Sequence, residues 1–141
     1  MENRTIRIFR LLNRFNLGGP TYNVSILTRS IGSPFETLLV GGINQVYETD
    51  SLHIPHSMGI EPIVIPELKR SLFPWQDYKA YKKIKQQIRD YKPHIFHSHA
   101  SKAGALGRIA AKQLHVPVIV HTFHGHVFEA YFNKTISSFF I

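Results

Sequence analysis

The feature that most constrains the fold is an alternation of short apolar runs with longer stretches of helical periodicity. The apolar runs predict strands at 5–13, 36–42, 61–66, 94–99 and 116–123, and the periodic stretches predict helices at 18–32, 77–92 and 101–114. Several runs are apolar without alternation, which is typical of strands buried on both faces of a parallel sheet. We therefore predict one α/β domain with a doubly wound, Rossmann-like parallel sheet, a size that 141 residues fit well.

Each predicted helix has an apolar face that would pack on this sheet. The expected core positions are Val24, Leu27 and Ile31 in the first helix, Tyr78, Tyr81, Ile84, Ile88 and Tyr91 in the second, and Leu106, Ile109, Ala110 and Leu114 in the third. The stretch 47–59 is less regular. In such sheets ligands bind beyond the carboxyl ends of the strands, so we expect 13–20, 97–101 and 121–126 to open onto one edge.

The net charge of +8 is concentrated in one segment. Eight basic residues lie between Lys69 and Lys92, against Asp77 and Asp90 alone. Such a surface favours an anionic partner, which the charge alone leaves open among a lipid surface, a phosphorylated ligand and a nucleic acid. The neighbouring Leu72, Phe73 and Trp75 add the aromatic and apolar groups that suit an anionic membrane.

Other classes of protein are disfavoured by what the sequence lacks. It contains no cysteine, which excludes disulfides, thiolate metal sites and thiol nucleophiles. No apolar run reaches the roughly 20 residues that span a bilayer, and the first residues do not resemble a secretory signal. We therefore expect a cytoplasmic location, with peripheral contact to the inner face of the plasma membrane.

The segment "NLGGPTYN" places Gly18, Gly19 and Pro20 between a strand and a helix. Backbone N–H groups at a helix N-terminus can hold a phosphate, and glycine lets a ligand approach closely. A plain tight turn is the alternative reading. The segment matches neither the G-x-G-x-x-G dinucleotide motif nor the P-loop, so a nicotinamide enzyme or an ATPase is disfavoured.

Histidines follow two of the predicted strands. His97 and His99 are two apart on a strand and so share a face, while Ser101 is placed to cap the next helix. A zinc site is disfavoured because no carboxylate is near and Lys102 follows.

In "HTFHGH" the three histidines have different predicted roles. We interpret His121 as a hydrogen-bonded histidine in or near the core, and His126 as undecided. His124 lies beyond the strand end and can reach the cleft, where an imidazole can bind a sugar hydroxyl or a phosphate oxygen.

Taken together, "LLNRFNLGGP", "HSHASKAGALGR" and "VPVIVHTFHGH" resemble the N-terminal domain of family 4 retaining glycosyltransferases of the GT-B fold, especially bacterial enzymes of surface polysaccharide synthesis. The three motifs occur in the family's order across nearly the whole chain. The resemblance implies transfer of a sugar from a nucleotide-sugar to an acceptor with retention. It implies no metal and no cofactor other than that donor substrate.

The resemblance also implies roles for single residues. Gly18, Gly19 and Pro20 match the turn that lies against the donor diphosphate. His124 matches the histidine at the reaction centre, and His99, Ser101 and Lys102 match acceptor contacts. The basic helix matches the surface that meets the membrane carrying a lipid-linked acceptor.

One part of the family pattern is missing from the 141 residues, namely the second, donor-binding domain. We therefore expect these residues alone to be inactive or nearly so. The competing interpretation is a non-catalytic module that binds anions or nucleic acid, although no recognised nucleic-acid motif is present.

Overall fold

A computed structural model of the protein describes residues 4–47 and 49–125. Five parallel strands form one sheet in the order β3-β2-β1-β4-β5. The elements in chain order are β1 (Ile6–Leu12), α1 (Gly19–Ser30), β2 (Phe35–Gly42), α2 (His53–Ser57), β3 (Ile63–Ile65), α3 (Pro74–Tyr91), β4 (Ile95–His99), α4 (Ser101–Gln113) and β5 (Val118–Thr122). The predicted doubly wound α/β fold is confirmed, and it has the arrangement expected of the N-terminal half of a GT-B fold.

Helices pack on both faces of the sheet, which makes two apolar cores. The larger core joins the sheet to α3 and α4 through Phe9, Leu11, Val40, Ile65, Leu68, Ala80, Ile84, Ile88, Phe96, Ala103, Ala110 and Ala111. The smaller core joins it to α1 and α2 through Leu12, Phe15, Val24 and Leu39. Alternate residues of β1 therefore point to opposite cores, as the two-residue period of a strand requires.

The two arginines within β1 have separate structural partners. Arg7 Nη2 donates to the carbonyl of Lys92 at 2.7 Å, and its Nε donates to the carbonyl of Tyr91 at 3.0 Å. A cation at these last carbonyls also complements the negative end of α3. Arg10 is buried on the α1 side and donates to Thr28 Oγ1 at 2.7 Å.

Helix α4 lies unusually close to the sheet because its inner face is made of alanine and glycine. A Cβ on Gly107 would come within 2.3 Å of the Phe96 ring and 2.8 Å of Leu11. A Cβ on Gly104 would come within 2.5 Å of the His121 ring. These two glycines are therefore required for the close packing of α4 on β1, β4 and β5.

Several expectations about single elements are wrong. The stretch 47–59 contains a short helix, α2. Tyr78 and Ile109, which we expected in the core, are exposed, because the sheet lies under Ala80 and Ala110 instead. Strand β5 is not buried on both faces, since it forms the edge of the sheet and leaves Val118 and Val120 more than 40% exposed.

Candidate functional site

The strand order reverses next to β1, which creates a crevice at the carboxyl edge of the sheet. Chain direction runs outward from β1 to β2 and β3 on one side, and to β4 and β5 on the other. Leu12, His99 and Thr122 lie side by side at the ends of β1, β4 and β5. The prediction that 13–20, 97–101 and 121–126 share one edge is confirmed for the described residues, and His126 lies outside them. Ligand sites in doubly wound folds occur at such a reversal.

The glycine turn opens α1 at this edge. Gly18 precedes the helix and Gly19 is its first residue. A Cβ added to Gly19 would meet nothing within 4 Å, and one added to Gly18 would meet only Pro20 Cδ, at 3.8 Å. Packing within the chain therefore does not explain the two glycines, and the space beside them is open to a ligand at the positive end of the helix.

His97 and His99 lie on the α1 side of β4, with their ring centroids 4.2 Å apart. His97 Nε2 is 2.8 Å from Thr122 Oγ1 on β5. His99 has none of its surface exposed, and its Nδ1 lies 2.9 Å from Nε2 of His124. The resemblance implied an acceptor contact for His99, and in this structure the side chain has no exposed surface through which to make one.

His121 and His124 differ as the sequence predicted. His121 lies on the α4 side of the sheet, where its Nδ1 is 2.9 Å from Ser98 Oγ, and it packs edge-on against Phe123. His124 follows the end of β5 and is exposed at the carboxyl edge. The first histidine is therefore structural, and the second is accessible to a ligand.

Burial keeps these histidines neutral. It lowers the pKa of His97 to about 4 and that of His99 to about 2, with smaller contributions from neighbouring histidines and Arg10. Burial also lowers the pKa of His121 and of His124 from the ordinary value of 6.5. At neutral pH the cluster thus consists of neutral imidazoles, which exchange hydrogen bonds rather than charge.

No group of three metal-ligating side chains is placed to hold an ion among residues 4–47 and 49–125. The four clustered histidines are divided between the two faces of the sheet, and two of their ring nitrogens already pair with each other. The part of the chain that is described also contains no helix with the length and apolarity needed to cross a bilayer.

Ser101 and Lys102 begin α4 at the same edge, but neither is arranged as the sequence suggested. Ala100 occupies the capping position, so Ser101 is the first helical residue and makes no capping hydrogen bond. Lys102 Nζ forms an ion pair with Asp77 and donates to the carbonyls of Lys69 and Ser71 at 2.7 and 2.6 Å. Its charge is therefore already used to hold the segment between β3 and α3.

The segment 69–75 runs from this loop into the first two residues of α3, and the sequence did not predict that Lys102 would hold it in place. It follows β3 and so lies at the carboxyl edge with the other loops. Its side chains Leu72, Phe73 and Trp75 are 71%, 60% and 66% exposed. Lysines stack over the aromatic rings that follow, with Lys79 over Trp75 at 5.6 Å and Lys82 over Tyr78 at 5.9 Å.

A cavity of about 260 Å³ lies at the same edge beside β2, and no sequence pattern predicted it. Its walls come from strand ends and loops that are distant in sequence: Phe15, Gly42, Ile43, Asn44, Asp50, Leu52 and Val64. Apolar walls with an amide and a carboxylate at the rim suit a polar organic ligand.

The comparisons with known proteins identify the family of the chain. The model of Glycosyltransferase Family 4 matches residues 18–140. A UDP-Gal:alpha-D-GlcNAc-diphosphoundecaprenol alpha-1,3-galactosyltransferase from Escherichia coli is 36% identical over 77 residues, which cover 55% of this chain and 20% of that protein.

Solved structures share the fold at low identity. The UDP-GlcNAc 2-epimerase from Methanocaldococcus jannaschii is 13% identical with a TM-score of 0.67, over 94% of this chain and 35% of that one. The UDP-GlcNAc 2-epimerase from Neisseria meningitidis bound to UDP-GlcNAc is 11% identical with a TM-score of 0.58, over 96% and 38%. The chain thus spans about a fifth of its curated relative and over a third of these structures, and by the family match it belongs to glycosyltransferase family 4.

Proposed function

We propose that this chain is the acceptor-side domain of a glycosyltransferase that transfers a sugar from a nucleotide-sugar to an acceptor, with retention of configuration. One observation carries the proposal: the open glycine turn of α1 and the accessible His124 lie at the same edge of the sheet, where the strand order reverses. Membership of family 4 and the name of the galactosyltransferase relative support the reaction class.

The donor diphosphate binds at the turn formed by Gly18, Gly19 and Pro20. The free N–H groups of the first turn of α1 and the helix dipole stabilise negative charge there. The side-chain-free surface at Gly19 lets phosphate oxygens approach the backbone. The similarity to a UDP-sugar transferase and the fold shared with UDP-GlcNAc epimerases favour a uridine nucleotide.

His124 binds the transferred sugar. Because burial lowers its pKa, the ring is neutral at pH 7 and can hydrogen-bond a hydroxyl without adding charge. Its role is to fix the sugar relative to the departing diphosphate. Misplacement by about 1 Å in such a step costs roughly 100-fold in rate.

The acceptor approaches from the side of Ser101 and the segment 69–75. The relative named above acts on a diphosphoundecaprenol-linked sugar, which supports a lipid-linked acceptor. The exposed Leu72, Phe73 and Trp75 with adjacent lysines suit insertion into the interface of an anionic membrane. Lys102 supports this surface by holding the backbone of 69–71, instead of binding the acceptor itself.

Residues 1–141 by themselves are inactive under this proposal. The described edge covers the donor from one side only, and the leaving diphosphate needs donors on its other side as well. We propose that those groups come from a second, donor-binding domain, as the resemblance to the glycosyltransferase family implies.

The test uses the complete protein that contains this chain, with UDP-galactose and GlcNAc-diphosphoundecaprenol as the first substrate pair. His124→Ala should lower kcat/KM by roughly 100-fold in protein that circular dichroism shows to be folded. His53→Ala, which changes an exposed histidine of α2, is the matched control and should retain full turnover. Full activity of His124→Ala would remove His124 from the mechanism.

A further inference from the structure

His99 is the one histidine of the cluster that is fully buried and touches the proposed sugar-binding residue. Its Nδ1 lies 2.9 Å from His124 Nε2, and the two rings are stacked with centroids 5.1 Å apart. Its other nitrogen, Nε2, is buried with no hydrogen-bond partner among the described residues. Nδ1 of His99 is therefore hydrogen-bonded to His124, and Nε2 has no partner among the described residues.

This isolation decides which ring nitrogen carries the proton. A buried N–H without an acceptor costs more than a buried lone pair without a donor. The less costly tautomer of His99 therefore has its proton on Nδ1 and a bare lone pair on Nε2.

The tautomer of His99 determines the tautomer of His124. If the Nδ1–H of His99 donates, Nε2 of His124 must accept, and a neutral imidazole then carries its own proton on Nδ1. That second nitrogen is the one that does not face His99, and His124 as a residue is exposed at the carboxyl edge. His124 then offers the cleft a hydrogen-bond donor, which is suited to a sugar oxygen.

We propose that His99 is a positioning residue that fixes the ring of His124 with its proton on Nδ1 facing the cleft. The inference rests on the proposed role of His124 in binding the sugar. His99 itself is held in place by contact with the tilted ring of His97, whose Nε2 lies 2.8 Å from Thr122 Oγ1. Both contacts lie on β4 and β5, so the orientation of His124 is set by the sheet and not by its loop alone.

The tautomer can be measured without any activity assay. In the complete protein labelled with ¹⁵N-histidine, two-bond ¹H–¹⁵N spectra distinguish a protonated ring nitrogen from a bare one, and His124→Ala identifies the signals of His124. We expect Nδ1 of His124 to be protonated at neutral pH, and this preference to disappear in His99→Leu. A proton on Nε2 of His124 in the unmodified protein would overturn the inference, whether or not any variant folds.

Two amide substitutions provide a matched kinetic test. Asn at position 99 places its NH₂ near the site of Nδ1 and retains the donor, whereas Gln places it near Nε2 and does not. We expect His99→Asn to keep kcat within about tenfold of the unmodified enzyme, and His99→Gln and His99→Leu to lose roughly 100-fold, mainly in kcat. Equal losses in His99→Asn and His99→Gln would indicate a merely structural role and contradict the proposal.

The two proposals fail in different ways. If His124→Ala is fully active but the spectra show the Nδ1 proton and its dependence on His99, the contact is real and the proposed function of His124 is wrong. If His124→Ala is inactive but the tautomer does not depend on His99, the function stands and the positioning role is wrong.

Discussion

Burial of His97 and His99 makes the stability of the fold depend on pH. Both lie on the same face of β4 with their rings in contact, and burial lowers the pKa of each well below 6.5. An imidazole with a lowered pKa stays neutral in the folded protein while it takes up a proton in the unfolded chain. Lowering the pH therefore reduces the free energy of unfolding through these two histidines.

We predict that the free energy of unfolding falls as the pH decreases below about 6.5, where the unfolded chain begins to bind more protons than the folded protein. The loss continues down to a pH of about 4 for His97 and further for His99. Each histidine contributes at most about 1.4 kcal/mol per pH unit. Urea unfolding at pH 7 and pH 5 measures this slope.

The variants for this test are His97→Asn and His99→Asn, each of which removes one of the groups that binds a proton on unfolding. Each should reduce the dependence of stability on pH, even where it lowers stability at pH 7. His53→Asn, at an exposed position, should leave the dependence as it is. A slope that neither variant at 97 or 99 changes would show that other groups cause the acid sensitivity.

The sequence distinguished His121 from His124 correctly, because the position relative to a strand end can be read from the apolar run before it. It did not reveal the contact between His99 and His124, whose partners are 25 residues apart. That contact requires β4 and β5 to be neighbours in a fixed register, and local sequence patterns do not predict the order of strands in a sheet. The same limit applies to Lys102, whose partners are two carbonyls of the loop after β3 and Asp77 of α3.

At the scale of elements, sequence patterns predicted every strand and three of the four helices that lie within residues 4–47 and 49–125. The fourth, α2, has only five residues with a proline among them, too few for a helical period to appear. Tyr78 was predicted to lie in the core because its spacing matches the apolar face of the helix. Such spacing does not show which part of the protein packs against that face. In the structure α3 begins earlier, at Pro74, and Tyr78 joins Trp75 on an exposed stripe.

This stripe on α3, with Leu72 and Phe73 before it, is the surface that we expect to bind membranes. We predict that Lys79→Ser combined with Lys82→Ser weakens binding to vesicles rich in phosphatidylglycerol, by roughly fivefold for each lysine. These two lysines lie over the exposed aromatic rings, where they reach anionic headgroups as the rings enter the interface. Co-sedimentation of the complete protein with vesicles measures the affinity.

Lys83 offers a matched control on the same helix. Its Nζ is 2.7 Å from Glu67, so Lys83→Ser removes an equal charge that is already paired within the protein. The loss of binding should be clearly smaller than for a single change at Lys82. Binding that is equally strong to uncharged phosphatidylcholine vesicles, or unaffected by the double substitution, would contradict the electrostatic interpretation.

At the scale of the whole molecule, all proposed functions share one edge of the sheet. The glycine turn, His124, the start of α4 and the segment 69–75 all follow the carboxyl ends of parallel strands. Lys102 connects the last two through the backbone of 69–71 and Asp77. A membrane bound at 69–75 would therefore hold a lipid-linked acceptor beside the position where the donor sugar is expected.

We expect turnover to require groups on both sides of that cleft. Residues 1–141 expressed alone should transfer sugar from UDP-galactose at least about 10³-fold more slowly than the complete protein, because one side of the leaving diphosphate lacks hydrogen-bond donors. Circular dichroism and binding to anionic vesicles should both be retained, since the segment 69–75 and its anchor Lys102 belong to this chain. Radiolabel transfer to the lipid acceptor measures the rate, and turnover by the isolated residues within tenfold of the complete protein would mean that the edge described here is catalytically sufficient.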